Sequence, residues 1–266
     1  MSFLDVVAVS KHYLANGTEI PALDQVDLAV QRGEFVVVLG PSGCGKSTLL
    51  QIVAGLEPAS SGQVLLDGQP IIHWGAERTL IFQKPNLFPW LTAVQNVAFG
   101  LRMAGRTARE RLNIAHQALE RMGLASATQL YPHELSGGMK QRVALARALV
   151  LEPAVLLMDE PLASLDALLR SRLQREIRAS CEGKTVLFVT HSIREAIVLA
   201  DRVVILSPQP GHVRREMALD GSAPRTLTPG LVSLEREIEG ELLSVTSPLG
   251  DPGRSLVPTK PSGSDR

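Results

Sequence analysis

Residues Gly40 to Ser47 read GPSGCGKS, a G-x-x-x-x-G-K-[ST] pattern placed directly after the apolar run Phe35–Leu39 (FVVVL). No other stretch restricts the possible folds as much. A continuous apolar run of that length predicts a strand buried on both faces, as in a parallel sheet. From Lys46 the pattern changes to KSTLLQIVAG, with Leu49, Leu50, Ile52 and Val53 on one helical face and Gly55 as a helix stop. Strand, glycine-rich loop and helix are what a phosphate cradle requires. Glycines let the backbone close round an anion with its N–H groups converging. The helix offers its unpaired N-terminal N–H groups and positive dipole end to the same anion. In this reading Gly40, Pro41, Ser42, Gly43, Cys44 and Gly45 form the cradle and Lys46 reaches the outer phosphates. Ser47 ligates Mg²⁺, and Thr48 stands beside it in the nucleotide-binding set. Cys44 occupies an unconstrained loop position and reads as a small neutral filler.

The rest of the chain extends this frame. Val6–Val9 and Leu28–Val30 are short strand candidates, and Val64–Leu66 with Asp67-Gly68 predicts a hairpin turn. Residues 85 to 149 are mostly helical in pattern, with segments at Val94–Arg102, Arg109–Met122 and Met139–Leu149. Buried-strand patterns return at Val155–Met158, Val186–Val189 and Val203–Leu206, separated by helical stretches. That alternation predicts βαβ units around a parallel sheet, interrupted by a helical insertion. Beyond about Gly221 the chain holds many Pro, Ser and Gly residues, with helical periodicity only at Leu231–Leu243. A short helix and then a disordered tail are expected there.

Composition narrows the function. Lys plus Arg number 27 against 27 Asp plus Glu in 266 residues, which argues against a general nucleic-acid binder. No apolar run reaches about 18 residues, and MSFLDVVAVSKHY lacks the basic start and apolar stretch of a signal peptide. The two cysteines, Cys44 and Cys181, read as free thiols in a reducing compartment.

Three strand ends beyond the loop carry polar chemistry. Val155–Met158 runs into Asp159-Glu160, where strand alternation would point the carboxylates apart. One could then serve the Mg²⁺ shell while the other faces an attacking water. Val186–Val189 runs into Thr190-His191, and Leu80–Phe82 into Gln83. Each is ambiguous alone, but ligands in parallel sheets sit at the carboxyl ends of strands. Ser136-Gly137-Gly138 before Met139 reads either as a plain helix cap or as an anion site at that helix start.

The order of phosphate loop, Gln83, Leu135-Ser136-Gly137-Gly138, Asp159-Glu160, Ser164-Leu165-Asp166 and His191 resembles the ATP-binding subunits of ABC transporters, over about residues 3–215. The resemblance implies an α/β fold: a P-loop NTPase (RecA-like) core with an N-terminal antiparallel β subdomain and an inserted α-helical subdomain. It implies an ATPase domain over residues 1–220, with the helical part at about 85–149, and a C-terminal extension over 221–266. It also implies a head-to-tail homodimer with two ATPs in the interface. Ser136, Gly137 and Gly138 of one copy would face the γ-phosphate held by the other. Glu160 would polarise the hydrolytic water and His191 would contact the γ-phosphate. Asp159 and Gln83 would complete the Mg²⁺ environment, and Asp166 would couple the two sites. Tyr13 stands where the family places an aromatic that stacks on adenine, although an aromatic at a strand end is often core. Two departures stand out: Met139 and Lys140 replace the usual Gln and its polar neighbour, and Ala163-Ser164 varies the turn before Leu165-Asp166. The first is expected to alter affinity or rate without abolishing activity.

Gly75–Arg78, Ile81-Phe82-Gln83, Leu87-Phe88-Pro89-Trp90, Asn96–Leu101 and Pro210-Gly211-His212-Val213 resemble the nitrate/sulfonate/taurine importer branch, with taurine-type subunits nearest. That branch implies a separate transmembrane permease, a periplasmic solute-binding protein acting indirectly, and a peripheral place on the cytoplasmic face of the inner membrane. Leu87–Trp90 would dock the permease, pack the helical subdomain, or do both.

Overall fold

The computed structural model describes residues 2–15, 17–163, 165–219 and 229–246. Ser164 and the proposed tail beyond residue 246 therefore lie outside the described residues.

The described residues form two sheets. Strands β1 (Leu4–Ala15), β2 (Thr18–Val30), β4 (Ser61–Leu66) and β5 (Gln69–Pro70) form an antiparallel sheet in the order β2-β1-β4-β5. The hairpin between β4 and β5 turns at Asp67 and Gly68, whose φ values of 50° and 75° give it the hand that matches strand twist. The second sheet contains β3 (Phe35–Leu39), β6 (Arg78–Ile81), β7 (Val155–Asp159), β8 (Thr185–Thr190), β9 (Arg202–Leu206) and β10 (Val213–Ala218). Its order is β10-β9-β3-β8-β7-β6, parallel except where β10 pairs antiparallel with β9.

The parallel sheet is buried on both faces, as its apolar runs require. Phe35, Val37 and Leu39 face one core with Met158, Phe188 and the helices below. Val36 and Val38 face the other, with Leu157, Leu187 and α1 (Lys46–Ala54), where they meet the antiparallel sheet. Each such side chain contributes about 1.5–3 kcal/mol relative to exposure.

Between β6 and β7 the chain folds into α2 (Ala93–Met103), α3 (Ala108–Arg121) and α4 (Gly137–Leu149). Reciprocal capping boxes start the first two, Thr92 with Gln95 and Thr107 with Glu110. Asn96 is fully buried and donates to the carbonyls of Phe88, Leu91 and Thr92 while accepting from Phe88 N–H, which pins the preceding loop onto α2. Helix α5 (Ala167–Ser180) follows β7 and α6 (Ile193–Leu199) follows β8. Helix α7 (Pro229–Thr246) packs against α6, with Ile238 fully buried.

The register places four strand ends level. Leu39 lies opposite Thr190, Val189 opposite Asp159, and Met158 opposite Ile81. The phosphate loop, His191, the Asp159-Glu160 pair and the Gln83 loop therefore open side by side along one edge.

Candidate nucleotide site

The loop after β3 is held by tight packing from below. Gly45 has φ +95°, and a Cβ there would lie 2.5 Å from Leu23 Cδ2 and 2.7 Å from Ala22 O, so only glycine fits. Lys46 is 5% exposed, and its ammonium donates to the carbonyls of Gly40 (2.8 Å) and Pro41 (2.9 Å). The charge thus sits inside the loop, where its position is fixed by the backbone. Cys44 is buried, and burial pushes its thiol above the usual range, which keeps it an inert filler.

The carboxylates diverge, but not through strand alternation as the sequence suggested. Strand β7 ends at Asp159, and Glu160 takes a left-handed backbone at φ 41°. A non-glycine residue in that region is strained, and such strain gathers at functional sites. Glu160 N–H donates to Val189 O at 3.1 Å, which anchors the kink to β8. The turn brings Glu160 between two partners: Lys46 Nζ is 3.8 Å from Oε1, and His191 Nδ1 is 2.8 Å from Oε2. Asp159 instead accepts from Ser47 Oγ at 3.0 Å, and burial raises its carboxyl above the ordinary range against the pull of that hydrogen bond. A hydroxyl and a carboxylate side by side are hard oxygen donors of the kind Mg²⁺ takes, so the residues present fit that ion.

A cleft of about 430 Å³, within the usual range for ligand sites, is lined by Tyr13, Ser42, Gly43, Gly45, Lys46, Ser47, Thr48, Gln83, Asp159 and Glu160. Gly40, Pro41 and Cys44 form the back of the same loop, and His191 reaches the site through Glu160. Gln83 lies two residues beyond the end of β6, on an exposed loop instead of at the strand end itself. Tyr13 is 37% exposed at the cleft mouth, with its hydroxyl 3.4 Å from Thr48 Oγ1 and the Lys11 ammonium 5.1 Å from the ring centroid. It is not core.

Ser136, Gly137, Gly138 and Asp166 stand apart from the cleft lining. Ser136 caps α4 by accepting from Met139 N–H, and Asp166 caps α5 by accepting from Leu169 N–H. Met139 is half-buried against the helical core, so the departure at this position is filled by packing.

Sequence reasoning missed one wall. Gln209 and Ala22 also line the cleft, and Gln209 Nε2 donates to Pro21 O. Gly211, two residues on, bonds to Ala22 and Asp24, and a Cβ on it would meet Cys44 O at 2.0 Å. The turn around Pro210-Gly211 was legible only as a branch resemblance, because nothing local shows that it supports the phosphate loop.

A phosphate loop at the carboxyl edge of a parallel sheet, beside a carboxylate bracketed by lysine and histidine, defines a P-loop nucleoside triphosphatase. Comparison with known proteins narrows the class. The ABC transporter family model matches residues 23–163, and the chain belongs to that family as one of its ATPases. It is 47% identical to the taurine import ATP-binding protein of Burkholderia pseudomallei, over 83% of this chain and 85% of that one. It is 41% identical to the nitrate import ATP-binding protein of Synechocystis, over 82% of each. Among solved structures it matches a dimeric ATP-binding cassette in a post-hydrolysis state bound to ADP and phosphate. That match has TM-score 0.74 and 33% identity, covering 82% of this chain and 100% of that one. No helix among the described residues is long and apolar enough to cross a membrane.

Proposed function

We propose that this chain is the ATP-hydrolysing subunit of a bacterial importer. It works as a head-to-tail homodimer with two ATPs in the interface, docked on a separate permease at the cytoplasmic face of the inner membrane. The observation that carries the reading is the bracketing of Glu160 by Lys46 and His191 at the mouth of the phosphate loop. Ionised Glu160 can accept the proton of an attacking water while His191 fixes its carboxylate. Lys46, freed from the loop carbonyls, binds the outer phosphates, and Tyr13 covers the adenine. Mg²⁺ would be held by Ser47 and Asp159 with Gln83 near, and would supply charge neutralisation on the phosphate oxygens. Ser136, Gly137 and Gly138 serve the partner copy's nucleotide, which accords with their not lining their own cleft. Residues 1–220 form the ATPase domain, with residues 85–149 as its helical part.

The permease docks where the loop leaving the cleft crosses the helices. Gln83 faces the cleft, and Phe82 before it, with Pro85, Asn86 and Phe88 after it, lines an apolar groove of about 340 Å³ together with Phe99 and Arg147. Trp90, 69% exposed, stands beside Phe88 at 5.6 Å between ring centroids. Trp90→Ala is expected to lose permease pull-down; retained pull-down and transport would remove the docking assignment. Closure around ATP would pass to the membrane through this loop.

Taurine or another sulfonate is the favoured solute, since the taurine relative is nearer at 47% identity than the nitrate relative at 41%. Nitrate, cyanate or a related small solute is the second reading. A non-transport ABC ATPase with a long coiled-coil insertion fits less well, because the longest inserted helix has 14 residues. ATP turnover by wild type against Glu160→Gln, together with uptake of taurine and nitrate in a deletion strain, tests the proposal. The variant should bind ATP yet turn over about a hundredfold more slowly. Wild-type turnover by Glu160→Gln would move the water-activating role elsewhere.

A further inference from the structure

Helix α6 begins in an unusual way. Ser192 caps it by accepting from Glu195 N–H at 3.3 Å, and a glutamate at that third position would ordinarily return to the cap residue's own N–H. Here Ser192 N–H donates instead to Thr190 Oγ1 at 3.0 Å, and Thr190 Oγ1 donates to Glu195 Oε2 at 2.7 Å. Glu195 is 3% exposed, so its carboxylate is spent inside the protein. Its other oxygen faces Arg170 Nε at 3.6 Å. That nitrogen is buried and makes no hydrogen bond among the described residues, and the ion pair is the interaction it has there. The same guanidinium donates through Nη2 to Leu165 O at 2.8 Å, in the turn immediately before Asp166.

One arginine therefore ties two segments that are far apart in the chain. Thr190 precedes His191, whose ring touches Glu160; Leu165 precedes Asp166, which caps α5. A buried carboxylate facing a guanidinium is a poor source of stability, because desolvation offsets most of the attraction. Its better-attested use is to fix the relation between elements.

We propose that Arg170 and Glu195 are positioning residues that lock the Asp166 turn to the His191 strand end. Turnover at one nucleotide site then depends on where the turn facing the other copy sits. The inference rests on the dimeric ATPase reading above, together with the coupling role that the family resemblance implies for Asp166. A change in the turn shifts Leu165 O, hence Arg170, hence Glu195 and Thr190, and so the ring that holds Glu160. From Leu165 to Thr190 the path consists of hydrogen bonds and an ion pair, and the peptide bond carries it on to His191.

The test uses the full chain with Glu195→Gln, Arg170→Gln, Arg170→Lys and the double Gln variant, measuring ATP affinity, kcat, the Hill coefficient for ATP and the melting temperature. Each single Gln variant is expected to keep wild-type ATP affinity, to lose about tenfold in kcat through misplacement, and to show a Hill coefficient near one. The double variant should be no slower than the slower single variant, since both remove one coupling. Arg170→Lys keeps the charge but not the fork, and should recover part of the rate. Should Glu195→Gln fail to fold, Arg170→Gln, on a side chain one-third exposed, carries the same readouts. Unchanged kcat and cooperativity, or losses that simply add, would overturn the inference while a cooperative wild type leaves the dimer reading standing. A wild type without cooperativity would remove both.

Discussion

His191 Nδ1 lies 2.8 Å from Glu160 Oε2, while Lys46 Nζ lies 3.8 Å from Oε1. With Glu160 ionised, the imidazole donates to it through Nδ1–H. In the proposed mechanism this hydrogen bond orients Glu160 toward the attacking water. His191→Ala should lower kcat by at least about tenfold with ATP affinity little changed, because the loss falls on orientation. Steady-state kinetics with an independent binding titration checks the split; an equal loss in affinity would make His191 a binding residue alone.

Tyr13 presents its ring at the cleft mouth, and its hydroxyl contact to Thr48 is long at 3.4 Å. The ring, then, is what matters. Tyr13→Ala should weaken ATP binding by about 1–3 kcal/mol, the usual worth of base stacking. Tyr13→Phe should bind as wild type does. A Phe variant as weak as the Ala variant would assign the effect to the hydroxyl.

Gly211 packs against the phosphate loop at Cys44. A methyl at this position would approach Cys44 O to 2.0 Å, backbone against backbone, where no side-chain rotation gives relief. Gly211→Ala should destabilise the fold by about 1–3 kcal/mol and raise the KM for ATP, as overpacking is relieved by moving the loop. Chemical denaturation and kinetics measure the two effects. A destabilised protein with unchanged KM would show that the strain relaxes elsewhere.

Glu195 links stability to pH. Burial raises its carboxyl above the ordinary range, opposed by the Thr190 hydrogen bond and the charges of Arg170 and His191, and reinforced by Glu160. The native state therefore holds a proton that the unfolded chain has already released. Its contribution to stability is full below about pH 4.3, where unfolded glutamate titrates, and is lost as pH rises through the raised native value. The melting temperature of wild type minus that of Glu195→Gln should fall across that window and level off above it. A difference that rises with pH would reverse the assignment.

Much of this site was legible in the sequence, because its strongest signals are local. The strand Phe35–Leu39, the loop and the helix to Ala54 coincide with their pattern, since burial on both faces leaves a continuous apolar run. Strand β10, VRREMA, escaped notice because an edge strand with alternating exposure can carry charge at most positions. The kink at Glu160 was hidden for another reason. Alternation is a property of a continuing strand, and this strand stops one residue earlier. Gln209, Gly211, Arg170 and Glu195 act through partners distant in the chain, and no spacing rule joins them.

The central claim is that a working site is built from two copies of the chain. Gly137 tests it cleanly: among the described residues nothing lies within 4 Å of a Cβ added there, and a carboxylate in the first turn of α4 suits the helix dipole. Gly137→Asp should fold, yet place a negative charge against the partner's phosphate. Lys46→Ala should disable its own loop. The deciding measurement is ATP turnover of these two inactive variants, separately and after mixing. A head-to-tail dimer gives each mixed pair one intact site, with the loop of one chain and the Ser136–Gly138 turn of the other, so turnover returns on mixing. A mixture no more active than its separate components would contradict the composite site.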